Sequence, residues 1–248
     1  MRRDIEERAL NAWPALETLV HDGWLLRSAR GHTKRANSAT PLYAGLRPPE
    51  EKIEHVEDFY ARRGLPAIVR LAGPPGITAD LDERLARRGY RLVDPTSVRV
   101  LALAGRRFAP HGEVRVASGP DEAWLQGVAR LAALGAPAQA TLAEMMWRVP
   151  PERAFAGIWR EGRLAAAGLG VLEAGAAGLF EIVTDPQMRR QGLARRVVES
   201  LLAWAAARGA TEAYLQVVAA NGPAIALYDR LGFRECHAYH YRVGLTRT

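Results

Sequence analysis

The chain has one cysteine, Cys236, among 248 residues, so no intramolecular disulfide can form and nothing implies an oxidising compartment. Long apolar runs are missing too. No stretch approaches the ~18 apolar residues that a helical membrane span requires. The opening Met-Arg-Arg-Asp-Ile-Glu-Glu-Arg is charged and leads into no apolar segment of a secretory signal, so a cytoplasmic protein is expected. Lysine is nearly absent. Lys34 and Lys52 stand alone, and arginine supplies almost all of the 34 basic residues behind a net charge of +7. The charge suits a phosphate-bearing ligand but is weak evidence for nucleic acid, which wants basic residues clustered on one face; a nucleic-acid or ribosome-associated rival would use the arginines around 27–35. No His, Cys and carboxylate set has metal-ligand spacing, and His237 and His240 fall on opposite faces of one strand, so no metal is expected. With 48% hydrophobic and 25% charged residues, the chain has the composition of a folded, soluble protein.

The turn-rich stretch Gly105–Gly112 divides the chain. We expect two domains, 1–108 and 109–248. Beyond it the pattern predicts strand Glu113–Ala117, helix Asp121–Leu134 capped by Asp121, and a short helix Thr141–Trp147. Strands Arg153–Arg160, Arg163–Leu172 and Leu179–Thr184 follow. Apolar residues at 193, 197, 198, 201, 202 and 205 recur at helical period, with Gly209 at the helix end. Strand Glu212–Val218, helix Pro223–Leu231 and a last strand Arg234–Val243 complete the order β-α-α-β-β-β-α-β-α-β. Trp124, Trp147, Trp159 and Trp204 lie within regular elements and read as core, and Cys236 as a small buried apolar residue.

Two motifs carry chemistry. In Glu181-Ile-Val-Thr-Asp-Pro-Gln-Met-Arg-Arg-Gln-Gly-Leu-Ala194, a strand stops at Asp185-Pro186, a basic loop follows, and a helix opens after Gly192. Consecutive backbone N–H groups and the positive end of the helix can hold a diphosphate there, although an ordinary strand-loop-helix with a solvated arginine pair would read alike. The second motif is Asn221-Gly-Pro-Ala-Ile-Ala-Leu-Tyr228-Asp-Arg-Leu-Gly-Phe233. By itself Asn221 is a good helix N-cap and Tyr228 a plausible core aromatic.

Together, Arg189-x-x-Gly192-x-Ala194 and Asn221-x-x-Ala224-x-x-x-Tyr228-x-x-x-Gly232-Phe233 closely resemble the signature of the GNAT (GCN5-related) N-acetyltransferase superfamily, whose fold order matches residues 113–248. The resemblance implies an α/β (α+β) fold of mixed, mostly antiparallel sheet flanked by helices, and acetyl-CoA as cosubstrate. Arg189, Arg190, Gln191, Gly192, Leu193 and Ala194 would then cradle its pyrophosphate. The backbone of Ile182, Val183 and Thr184 would pair with its pantetheine arm, with Asn221 and Ala224 also on the donor side. Tyr228 would return a proton to the departing thiolate. An acetyl group would pass directly, in a ternary complex, to a primary amine of a small molecule or peptide. A binding protein that senses acetyl-CoA without turnover is the alternative.

The general base is less defined. Where some relatives resembling ribosomal-protein N-terminal acetyltransferases place a Glu, this chain has Gln216, which takes up no proton. Glu181 is the other candidate catalytic residue, two positions before Val183 and therefore expected on the same strand face. Its bland reading is a rim carboxylate paired to an arginine. In the last strand, His237 and Tyr239 share a face that lines the acceptor site in the family.

The first half repeats the later pattern faintly. Helix Val56–Arg63 with Gly64, strand Pro66–Leu71, helix Leu81–Arg87, Gly89-Tyr90-Arg91 and strand Ser97–Leu103 parallel the run from Leu201 to Arg234. Self-similarity suggests an internal duplication, unless such α-turn-β units merely share Gly-aromatic endings. Leu46-Arg-Pro-Pro-Glu-Glu51 replaces the phosphate loop, where prolines lack N–H donors and carboxylates repel phosphate. Leu85 stands where the second half has Tyr228. The first half thus looks like a degenerate GNAT-like domain that binds no CoA and is kept for packing or substrate recognition. Asp22–Arg27 and Lys34–Ser38 resemble the N-terminal region of some bacterial two-domain GNAT proteins. Monomer and homodimer both remain open.

Overall fold

Residues 2–73 and 75–245 are described by a computed structural model of the chain, the side chains of Pro75, Gly76 and Ala79 excepted. Among them, the first half folds as α1 (Arg3–Ala12), β1 (Glu17–His21), β2 (Trp24–Ser28), β3 (Ala39–Pro41), α2 (Pro49–Ala61), β4 (Ile68–Leu71), α3 (Pro75–Arg87) and β5 (Arg91–Ala102). The second half adds β6 (Arg115–Ala117), α4 (Glu122–Leu131), α5 (Ala136–Trp147), β7 (Glu152–Arg160), β8 (Arg163–Glu173), β9 (Ala176–Thr184), α6 (Leu193–Ala206), β10 (Glu212–Val218), α7 (Gly222–Leu231) and β11 (Arg234–Val243). The expected order after residue 113 is the observed one.

All eleven described strands join one sheet in the order β1-β2-β3-β4-β11-β5-β10-β9-β8-β7-β6. The order is nearly palindromic. The pairs β3–β4 and β9–β10 are parallel, and every other neighbouring pair is antiparallel. The last strand of each half crosses over: β5 lies against β10 of the second half, and β11 against β4 of the first. The two pair with each other at the centre.

Helices cover both faces. On one, α6 turns Leu193, Val197, Val198, Leu201, Leu202 and Ala205 onto the sheet, joined by Tyr228, Leu231 and Phe233 around α7. On the other, α1, α4 and α5 cover Trp13, Val98, Phe180, Tyr214, Tyr239 and Tyr241. Burying each such leucine, valine or aromatic contributes about 1.5–3 kcal/mol.

Three sequence expectations are corrected. Trp147 is 59% exposed, because α5 faces inward through Leu142, Met145 and Met146, and the next residue is rotated by about 100° to the outside, over Gly119. Strand β5 starts at Arg91, not Ser97. Asp94 (φ +47°) makes an irregularity within the strand, and the Pro95 carbonyl accepts from Ala219 N at 2.7 Å. Cys236 is only part-buried.

Candidate active site

Strands β9 and β10 run paired from Ala176–Glu212 to Leu179–Leu215 and then part. Beyond Leu179, β9 continues along β8 to Thr184, while β10 continues along β5 to Val218. A V-shaped gap opens between them, with one edge of β9 unpaired. The Asp185 N–H points toward β8, donating to Ala165 O at 2.8 Å. By alternation, the N–H of Thr184 points into the gap.

A bulge shapes this edge. From Leu169 to Ala167 on β8, the partners on β9 run from Phe180 to Val183, one residue more than regular pairing allows. Glu181 takes up the extra length at φ +48°, a conformation that glycine usually provides. Opposite it stands Gly168, where a Cβ would meet Ile182 Cδ1 at 2.7 Å. The bulge breaks the simple two-residue alternation on which the expected shared face of Glu181 and Val183 rests. Phe180 and Val183 belong to the α1-side core, and Leu179 and Ile182 to the α6-side core, so the two-residue period breaks at Glu181. Burial raises the Glu181 carboxyl pKa, and the charge of Arg35 pulls against it. No ion pair forms between Glu181 and Arg35.

The phosphate-loop residues follow the gap directly. After a short 3-10 turn at Pro186–Met188, Arg190 (φ +63°) and Gly192 (φ +77°) both adopt left-handed backbone, and Gly192 caps α6. Among the described residues, no backbone N–H from Arg189 to Arg195 donates within the chain, and Arg189 and Arg190 have no ion-pair partner. Gln191 carbonyl accepts from Arg196 at 2.8 Å. Leu193 is buried and anchors the loop, while Ala194 is half-buried. The result is an exposed, N–H-rich loop at a helix N-terminus, suited to an anion.

On the other side of the gap, Asn221 caps α7, its Oδ1 accepting from Ala224 N at 3.2 Å. Ala224 packs on the α6-side core. Tyr228, on the next two turns, is 6% exposed and lies edge-on to Phe233 at 5.9 Å. Its hydroxyl makes no hydrogen bond among the described residues. Burial pushes its pKa up to about 12, so the phenol stays protonated and has an O–H to donate at ordinary pH.

On the α1 side of the gap stand residues of the first half, the unit expected from sequence to serve packing or substrate recognition. Trp13 stacks on Phe180 with ring centroids 6.2 Å apart, and Arg35 lies over both rings. The two last-strand candidates are engaged inside the protein. His237 bonds Glu6 at 2.6 Å, and Tyr239 donates to Gln216 at 3.1 Å. The pairing of Arg70 on β4 with Glu6 on α1 leaves no trace in local pattern.

Among the described residues, no group of three or more His, Cys, Asp and Glu could hold a metal ion, and no helix is long and apolar enough to cross a membrane.

A sheet with this gap, this loop and this tyrosine defines an acetyltransferase of GNAT type. Comparison with known proteins agrees. Residues 2–242 match the family model described as "Probable histone acetyltransferase Rv0428c C-terminal". The chain is 30% identical over 252 aligned positions to "Uncharacterized N-acetyltransferase YobR" of Bacillus subtilis, covering 97% of this chain and 98% of the relative. It is 30% identical over 252 aligned positions to "Probable histone acetyltransferase Rv0428c" of Mycobacterium tuberculosis, covering 96% of this chain and 72% of the relative. A GCN5-related N-acetyltransferase from Kribbella flavida shares the fold, with TM-score 0.68 over 98% of this chain and 95% of that one at 18% identity. The chain belongs to the Rv0428c C-terminal family of GNAT acetyltransferases and is an acyltransferase enzyme.

Proposed function

We propose that the protein transfers the acetyl group of acetyl-CoA to the amine of a small-molecule or peptide acceptor, directly and in a ternary complex. The observation that carries this reading is the adjacency of the parted strands β9 and β10 to the open N–H loop 189–194. Arg189, Arg190, Gln191, Gly192, Leu193 and Ala194 would hold the pyrophosphate. The free edge at Ile182, Val183 and Thr184 would pair with the pantetheine amides, and Asn221 and Ala224 would flank that arm. The donor supplies an activated thioester.

The chain's own residues do the rest. Glu181, with its raised carboxyl pKa, takes the proton of the acceptor ammonium, directly or through water. The amine nitrogen bonds to the acetyl carbon and the C–S bond breaks. A backbone N–H beside the bulge polarises the carbonyl oxygen. Tyr228 donates a hydrogen bond to the departing sulfur. With the phenol near 12 and a thiol near 8.5, full proton transfer would be opposed by roughly 5 kcal/mol, so the bond stabilises the thiolate while solvent supplies the proton.

The halves 1–108 and 109–248 read as related units, of which the second alone takes the donor. The near-palindromic sheet supports this. So do Pro48 and Pro49 at the start of α2, the carboxylates Glu50 and Glu51 in its first turn, and Leu85, fully buried where the second half has Tyr228.

Titration calorimetry with acetyl-CoA, followed by a thiol-release assay over an amine panel, tests the reading. Binding that Gly192→Val abolishes supports it, and no binding overturns it. Binding without turnover of any amine would instead mark an acetyl-CoA sensor.

A further inference from the structure

We propose that Arg35, delivered by the first half, reads a carboxylate on the acceptor, and that the substrates are amines carrying a carboxylate near the reacting nitrogen. This rests on the acetyl-transfer reading above and names its substrate class.

The argument begins with the segment between β2 and β3. Its three cations are treated differently. Arg30 pairs with Glu144 at 2.9 Å, and Lys34 pairs with Asp94 at 2.9 Å. Arg35 pairs with nothing: its guanidinium makes no hydrogen bond or ion pair among the described residues, and its Nε is buried without a partner. An unpaired buried N–H on a cation costs more than most polar groups, unless a ligand completes it.

The segment holds Arg35 firmly. Asn37 Oδ1 accepts from Ala29 N at 2.8 Å and Gly31 N at 2.9 Å, and its Nδ2 donates to Thr33 O at 2.8 Å. Trp13 Nε1 donates to Thr33 Oγ1 at 3.2 Å. The buried Arg27 donates to the carbonyls of Leu10, Trp13 and Arg35 itself. Such fixing makes a recognition group selective, because little freedom is lost on binding.

Its location puts it in the acceptor region. The guanidinium carbon lies 5.6 Å from the Phe180 ring and 5.7 Å from the Trp13 ring. Phe180 is the first residue of β9 beyond its last pairing with β10, and Glu181 follows it. Cation–π contact occupies the aromatic side of the guanidinium and leaves its N–H edge for a planar anion, which a carboxylate matches.

The charge balance agrees. On this face Arg27, Arg35 and Arg70 supply three positive charges. Glu6 is committed to Arg70 and His237, and Arg27 is satisfied by carbonyls. Glu181 is a carboxylate within reach of the charge of Arg35, and in the reading above it is the base. An acceptor with an amine toward Glu181 and a carboxylate toward Arg35 completes both.

The test compares the common amino acids, their α-carboxamides and dipeptide amides as acceptors, for wild type, Arg35→Gln and Arg35→Lys. Acids are expected to exceed their amides by about tenfold or more in kcat/KM, chiefly through KM. Arg35→Gln should collapse that preference, and Arg35→Lys should keep part of it through charge without the two-pronged geometry. Equal use of acids and amides, preferred use of dipeptide amides, or a preference that survives Arg35→Gln overturns the proposal. Calorimetry of acid and amide without acetyl-CoA reads the carboxylate site independently of the donor. Tighter acid binding that needs Arg35 supports the proposal, and equal binding overturns it. Failure of acetyl-CoA to bind overturns the transfer reading instead.

Discussion

The Tyr239 hydroxyl donates to Gln216 Oε1 at 3.1 Å, joining the central strand β11 to β10 across the intervening β5. The side chain at 216 is thus engaged in positioning a tyrosine. In the proposed reading, Glu181 on the bulge serves as proton acceptor instead.

For Glu181 the sign of the pKa shift makes two measurements diverge. A carboxyl whose pKa is raised by folding gives stability that is present below the ordinary carboxylate range and is lost as pH rises through the raised value. Glu181→Gln therefore raises Tm by a few degrees at pH 7. In the thiol-release assay it lowers kcat by about 10- to 100-fold and removes the acidic limb of the pH profile, which in wild type lies above the range of a free carboxylate. Unchanged kcat would assign the base to water.

Tyr228→Phe should lower kcat by about tenfold or more while leaving the calorimetric affinity for acetyl-CoA within twofold. Because burial holds the phenol near 12, wild-type activity should show no basic limb due to Tyr228 up to about pH 10.

Gly192→Ala adds a Cβ that meets nothing closer than the Arg196 guanidinium at 3.8 Å, so crowding is not the cost. The left-handed backbone is: about 1–2 kcal/mol for a residue with a side chain. Thermal unfolding should shift down by a few degrees, and acetyl-CoA affinity should fall by about tenfold as the loop relaxes.

Glu6 and Arg70 are both almost fully buried and pair at 2.6 Å. Burial pushes the Glu6 pKa up, but the charge of Arg70 and hydrogen bonds from His237 and Arg70 outweigh it, and the net direction is down. The resulting stability is present above the ordinary carboxylate range and is lost as pH falls below it. Glu6→Gln leaves a buried guanidinium without its counter-charge and should cost about 3–5 kcal/mol in chemical denaturation at pH 7. The difference from wild type should shrink toward pH 3.

The elements legible in the sequence are those whose signal is local. The periodic apolar face of α6, the Asp121 and Asn221 caps and the glycines ending α6 and α7 all act within a few residues of themselves. The missed elements depend on distant partners. β1 is an edge strand whose Leu19 and Val20 are exposed, so no inside-outside alternation marks it. α1 buries a glutamate because Arg70, far along the chain, neutralises it. At Glu181, a residue other than glycine took the left-handed position of a bulge, which hides both the bulge and the change of face. The share of the first half in the site, through Trp13 and Arg35, follows from the sheet's crossed ends, and no window of sequence contains it.

The crossed last strands also impose a schedule on synthesis. β5 is complete at residue 102, yet its neighbours on either side are residues 212–218 and 234–243. At translation speeds of about 5–20 residues per second, that strand waits on the order of ten seconds with both edges open. The first half cannot close as a finished unit on the ribosome, and the middle of the sheet is the last part to assemble. A nascent chain of this design depends on whatever shields an exposed strand edge during that interval, so slowing elongation between residues 102 and 234 should lower its soluble yield.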